Sequence, residues 1–373
     1  MSNIIWLAVA LGVVALAWVV LGQRSQRSRP EAMKRVIPVA QPTEAGSSAP
    51  SGATEDAEPD PPAPFHWVSA AEVPPARQAA LVAVFQHIPR PSRLMLHLVS
   101  TDLLSEASSA QLVDLIVSEP VIAGKLLSAV NSPLYGLETP VTSVAQAVIH
   151  LGLTEVRAIC LRYAMMSSFA PDAPVRQPML DRVWRASALA SELAQHLTAE
   201  LPIEDRGAVV SAVLLSFLGR LAVVATTPMG LLKDLVQPDH PGRCAAEQAQ
   251  LGLPASEIGR LLMAQWGLPA SVIADASDAD ELLVRSYRSL DGARALPLAL
   301  GYLCARLGEL LAQGQLKSLQ DFDLASDPSP TFTRVKACLA DPRMARLPLA
   351  LTSPELAARL QRLMATLPGA AAA

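Results

Sequence analysis

The side chains able to bind a metal or move a proton are scattered along this chain. The six histidines are His66, His87, His97, His150, His196 and His240, and none has a histidine three or four residues away. No helical face therefore offers a metal a histidine pair. The cysteines Cys160, Cys244, Cys304 and Cys338 show no CxxC spacing, so neither a zinc site nor a redox pair is indicated, and buried reduced thiols are expected. Glu119, Asp181 and Asp205 could serve acid–base chemistry, but none belongs to a recognisable constellation, and solvated or capping roles are expected. Asn131 and Ser132 precede Pro133. The Asn131 amide can contact a partner, or it can end a helix by taking a left-handed conformation. His150 sits between Ile149 and Leu151 and reads as packed or surface, and Trp184 and Trp266 read as core anchors.

The elements that hold these residues are helices. Hydrophobic residues make up 51% of the chain and aromatics only 4%, with Ala, Leu and Val dominant, which favours an all-α fold. Pro120 suits the first position of a helix that buries Val121, Ile122, Leu126, Leu127 and Val130 and stops before Pro133. Ser143 and Gln146 form a capping-box pattern, and Gly152 provides a left-handed stop, with Thr154 capping the next helix towards Phe169. Further helices are predicted over 76–86, 109–118, 180–199, 205–226, 254–267, 294–312, 331–339 and 354–366.

Ahead of this body, residues 4–21 carry no charged or strongly polar side chain. As a helix they extend about 27 Å, enough for a bilayer core. Arg24, Arg27, Arg29, Lys34 and Arg35 follow, which places the C-terminal side in the cytoplasm. Residues 1–22 thus read as a transmembrane anchor of the inner membrane. Residues 23–75, rich in Pro, Ala and acidic residues, read as a disordered linker. Residues 76–280 read as the main helical domain and 281–373 as a helical extension packed on it. Net charge is −4 and the body has no basic stripe, so no nucleic-acid groove is indicated.

Three ordered segments resemble the HDOD (HD-related output domain) family. The run from Glu119 through Asn131 and Ser132 is similar to its DP-x-L-x-x-x-L-L-x-x-x-N-S motif, with Glu119 in place of Asp. Ile88-Pro89 resembles its Leu-Pro start, and Ser143 to Gly152 its S-[IL]-x-x-A-[IL]-x-x-L-G segment. The resemblance implies an HD-like helical fold whose metal-binding His and Asp would fall at Ser216 and Phe217, yet no His-Asp dipeptide occurs in the chain. Ala186 and Ala255 stand where the family often has histidine. Phenylalanine and alanine cannot ligate a metal, and a lone serine hydroxyl is a poor ligand for Fe, Mn or Zn.

The resemblance therefore implies a non-enzymatic bacterial signalling module without cofactors, with signalling proteins docked on its helical surface. Glu119, Pro120, Asn131, Ser132 and Gly152 are its family-motif residues, serving structure or partner contact. The alternatives are a nucleotide or cyclic-dinucleotide sensor using the vestigial cleft, and a metal-dependent phosphohydrolase.

Overall fold

The computed structural model describes residues 62–99, 109–169, 174–233, 235 and 239–367. The expected anchor over 4–21, and the linker up to residue 61, lie outside the described residues. Those described are helix and loop, with no strand among them.

In chain order the helices are α1 (Pro75–Phe85), α2 (Arg93–Leu98), α3 (Ser109–Val117), α4 (Pro120–Val130), α5 (Val144–Ser168), α6 (Gln177–Glu200), α7 (Arg206–Ser216) and α8 (Leu218–Thr226). They continue as α9 (Met229–Leu232), α10 (His240–Leu251), α11 (Ala255–Trp266), α12 (Ala270–Ser277), α13 (Gly292–Ala312), α14 (Leu347–Leu351) and α15 (Pro354–Thr366). One hydrophobic core runs from Ala70 to Leu363. Three stretches, Val144–Ser168, Arg206–Thr226 and Gly292–Ala312, are long and apolar enough to cross a membrane, but each buries more than half of its most apolar window inside the body.

α13 packs along α6 so closely that a Cβ on Gly308 would come within 2.7 Å of the Ala186 carbonyl oxygen. α8 and α11 approach more tightly still: a Cβ on Gly219 would lie 1.7 Å from the Ala255 carbonyl oxygen. Only glycine permits these crossings. Phe169 anchors the centre, with ring centroids 6.3 Å from Trp184 and 6.2 Å from Trp266. All four cysteines are buried and unpaired.

Several local expectations change. The helix predicted over 205–226 is broken at Phe217, whose N–H turns back to the Leu214 and Leu215 carbonyls. Ser216 and Gly219 flank this point, and both favour a helix less than the Leu, Val and Ala around them. Gly152 is not a left-handed stop. At φ 80°, ψ 166° it lies outside the left-handed helical region, yet it does separate two helices, which meet at this kink within α5 as the sequence leads one to expect; this backbone region is essentially reserved for glycine. The 331–339 segment is turn and 3₁₀ helix over Val335–Ala340. Residues 65–73, assigned above to the linker, pack on the body. Trp67, Ala70 and Val73 are buried, and the Ala70 N–H donates to Oε2 of Glu257 at 2.8 Å.

Candidate functional site

α10 carries the residues that matter most, and the sequence reading did not foresee it. His240-Pro241-Gly242 looks like a loop. Yet Asp239 accepts from the Gly242 N–H at 2.8 Å as N-cap, and a proline in the first turn lacks only an N–H that has no intrahelical acceptor. His240, Arg243, Cys244 and Glu247 follow at i, i+3, i+4 and i+7, one face of the helix, and all four are buried. His240, which the sequence reading leaves without a companion, thus has two on its own helix.

That face meets α8, α13 and the 3₁₀ turn Asp278–Leu283. Nη2 of Arg243 donates to both carboxylate oxygens of Glu309 at 2.9 Å. Nη1 of Arg306 donates to Oε2 of Glu309 at 2.8 Å. Nη1 of Arg220 donates to Oε1 of Glu247 at 2.6 Å. Nη2 of Arg306 lies 3.6 Å from Oδ1 of Asp280. The guanidiniums of Arg220, Arg243 and Arg306 are thus met by the carboxylates of Glu247, Glu309 and Asp280, a balanced buried network. Such a network demands full pairing, because removing one partner strands a charge away from water.

His240 is neutral in this setting. Its Nδ1 accepts from Arg306 at 2.8 Å and from Arg243 at 3.0 Å. A guanidinium can only donate, so Nδ1 carries no proton and Nε2 does. Burial, then the charges of Arg306, Arg243 and Arg220, hold its pKa well below the ordinary 6.5. The approach of Nε2 to Oδ1 of Asp280, 3.7 Å, is a contact of a neutral ring and not an ion pair. With Nδ1 occupied by two donors, His240 has no lone pair to give a metal.

Ser216, Phe217, Ala255 and Ala186, the positions at which the resemblance implies metal ligands, lie around this network. Ser216, Phe217 and Ala255 line a hollow together with Arg220, His240, Arg243 and Arg306. Ala186 lines the neighbouring cleft beside Arg220, Arg243 and Glu309. Ser216 ends α7 with its Oγ donating to the Val213 carbonyl at 2.8 Å. Phe217 is buried in the core. The Ala255 N–H donates to Oε2 of Glu247 at 2.7 Å. The hollow has a volume of about 10 Å³, at most the room of one water molecule. Arginine side chains fill the space, and they already engage the carboxylates of Glu247, Glu309 and Asp280 that a cation would need. The residues present do not fit a divalent metal. Among the described residues no group of three His, Cys, Asp or Glu side chains is placed to hold one.

The motif residues sit elsewhere, on α4 and α5, and none lines the hollow. Glu119 is the N-cap of α4 without a side-chain cap bond, and Pro120 is at its first position. Asn131 ends α4 at φ −83°, ψ 6°, so it is not left-handed. It works through its amide instead: Nδ2 donates to the Leu127 and Val141 carbonyls at 2.9 and 2.8 Å, and Oδ1 accepts from the Val141 N–H at 2.8 Å. This staples the segment after α4 to the segment before α5. The Ser132 carbonyl accepts from the Tyr135 N–H at 3.2 Å in the turn between. The Ser143 hydroxyl accepts from the Gln146 N–H at 3.2 Å, but the Gln146 side chain reaches back to Thr142, one residue beyond a true capping box.

Fold and sequence together place this chain in a family of all-helical domains. It belongs to the HDOD domain family, whose model matches residues 88–281. An HDOD domain protein of unknown function from Geobacter sulfurreducens aligns at TM-score 0.55 and 16% identity over 77% of this chain and 98% of its own. A candidate signal transduction protein from Marinobacter aquaeolei aligns at TM-score 0.54 and 20% identity over 78% of this chain and 65% of its own. A candidate phosphohydrolase from Shewanella amazonensis aligns at TM-score 0.47 and 14% identity over 76% and 98%. No curated protein matches the sequence.

Proposed function

We propose that this chain is a non-catalytic HDOD module, tethered to the cytoplasmic face of the inner membrane through residues 4–21, that acts as a scaffold or adaptor in bacterial signal transduction. The observation supporting this reading is how the space at the positions implied to hold the metal is filled. A hollow of about 10 Å³, walled by Ser216, Phe217 and Ala255, is occupied by Arg220, Arg243 and Arg306. A hydrolase of this type would need a cation, a water and a phosphate in that space. A nucleotide sensor built on the same cleft meets the same obstacle. The adaptor reading rests on the surface. Val117, Val121, Ile149 and Leu153 are large apolar side chains left exposed on α3, α4 and α5, the helices that carry the family motif.

The test adds Fe(II), Mn(II) and Zn(II) in turn to the full chain in lipid nanodiscs, then assays phosphodiester and cyclic-dinucleotide hydrolysis. The reading expects no turnover with any of them. Metal-dependent turnover abolished by chelation overturns it. For the docking half, Val121→Asp and Ile149→Asp are compared with wild type by in-cell crosslinking. Adducts unchanged by both substitutions would remove α4 and α5 from the docking surface.

A further inference from the structure

A second cavity, of about 460 Å³, lies among α5, α7, α12 and α13. This size is typical of a small-molecule site. Ser216 borders both it and the ion-pair network, but no arginine of that network lines it. Its wall is largely aliphatic, with Val209, Val213, Val272, Leu296 and Leu298 among its residues.

Three guanidiniums also border it, and two are committed. Nη2 of Arg294 is held by Asp275 at 3.1 Å and Asp278 at 3.0 Å. Nη2 of Arg343 is held by Asp341 at 2.7 Å. Arg157 differs. It is only 7% exposed, and its Nε and Nη2 are buried without a hydrogen-bond partner. Burial pulls its pKa down to about 10, against the attraction of Asp205, so it stays charged at neutral pH. Asp205 does not form an ion pair with it; that carboxylate caps α7 by accepting from the Ala208 N–H at 2.8 Å. A buried cation with idle donors weakens a fold unless an anion meets it.

We infer that this cavity binds a monoanionic amphiphile, its single carboxylate held by Arg157 and its aliphatic body lying against α7, α12 and α13. A dianionic phosphate ester is disfavoured by Glu204, Asp205 and Asp275, which line the same space. A cyclic dinucleotide brings two phosphates, and among the described lining residues only one guanidinium is uncommitted. The inference stands apart from the adaptor reading, which loses nothing if the cavity binds no ligand.

Octanoate and its neutral counterpart octanamide serve as probes, titrated calorimetrically into the full chain in lipid nanodiscs with empty nanodiscs as reference. Octanoate should saturate at one per chain in the millimolar range or tighter. Arg157→Gln should weaken it about tenfold or more, the worth of a hydrogen bond to a charged group. Octanamide binding should be the same for wild type and variant. Absence of saturable octanoate binding, or equal octanoate affinity in wild type and Arg157→Gln, overturns the inference. Without ligand, Arg157→Gln should melt at a higher temperature than wild type, because it removes an unmet charge. A lower melting temperature would mean that the protein itself satisfies the guanidinium, and would also overturn it.

Discussion

The backbone N–H of Ala255 donates to Oε2 of Glu247 at 2.7 Å, tying the first residue of α11 to the buried face of α10. The other carboxylate oxygen holds Arg220. A main-chain group thus serves as one more donor in the salt-bridge network.

Glu247→Ala strands Arg220 and the Ala255 N–H together. It should lower the unfolding free energy by about 3–5 kcal/mol, the range for breaking a buried ion pair. Glu247→Gln still accepts from Ala255 but loses the charge, and should fall between the alanine variant and wild type. Denaturant titration of the three proteins checks the order.

Placing a His-Asp dipeptide at positions 216 and 217 should not create a metal site. Ser216→His with Phe217→Asp puts two ligands beside Arg220 and Arg306, which line the same hollow. The deleted phenylalanine ring should cost about 3 kcal/mol or more. Elemental analysis should find no stoichiometric Fe, Mn or Zn in the double variant. One ion per chain would show that the guanidiniums can move aside.

Asn131→Ala removes three hydrogen bonds to Leu127 and Val141. The site is partly solvated, so the expected loss is about 1–3 kcal/mol. Asn131→Gly should cost at least as much, because residue 131 has a negative φ and gains nothing from glycine's freedom. A glycine variant markedly more stable than the alanine one would contradict this arrangement. Thermal melts of both variants suffice.

Acid should weaken the protein through His240. Its folded pKa is held well below 6.5, whereas the unfolded ring has the ordinary value. Below 6.5 the unfolded chain therefore takes up a proton that the folded chain refuses. The stability linked to His240 is complete above 6.5 and is lost as pH falls towards the folded pKa. His240→Gln should flatten the slope of stability against pH below 6.5. An unchanged slope would mean that the ring is already charged in the fold.

Some elements are legible in the sequence because local rules decide them. α4 begins at Pro120 and ends before Pro133, and α15 starts behind Ser353, whose hydroxyl caps it, with Pro354 and Glu355 in its first turn. α10 escapes the same reading because Pro241 and Gly242 disguise a helix start, although Asp239 is a sound cap. The break at Phe217 is marked only by Ser216 and Gly219 inside a long apolar run, and Gly219 is also where α8 closes on α11. The ion-pair network is hidden for a different reason. Residues 220, 243, 247, 280, 306 and 309 come from four separate segments, and no period or motif links them. The one hint is polar residues at core spacing on α10 and inside the apolar α13.

The partnership of α13 with α6 and α10 has an evolutionary consequence. The family-matched stretch ends at residue 281, but Arg306 and Glu309 lie beyond it on α13. A recombination event that copied only 88–281 into another gene would deliver Arg243 without Glu309 and α6 without α13. The heritable unit of this protein is therefore longer than its family signature. Lineages that shuffle such modules should keep or lose the α13 segment together with the arginines of α8 and α10.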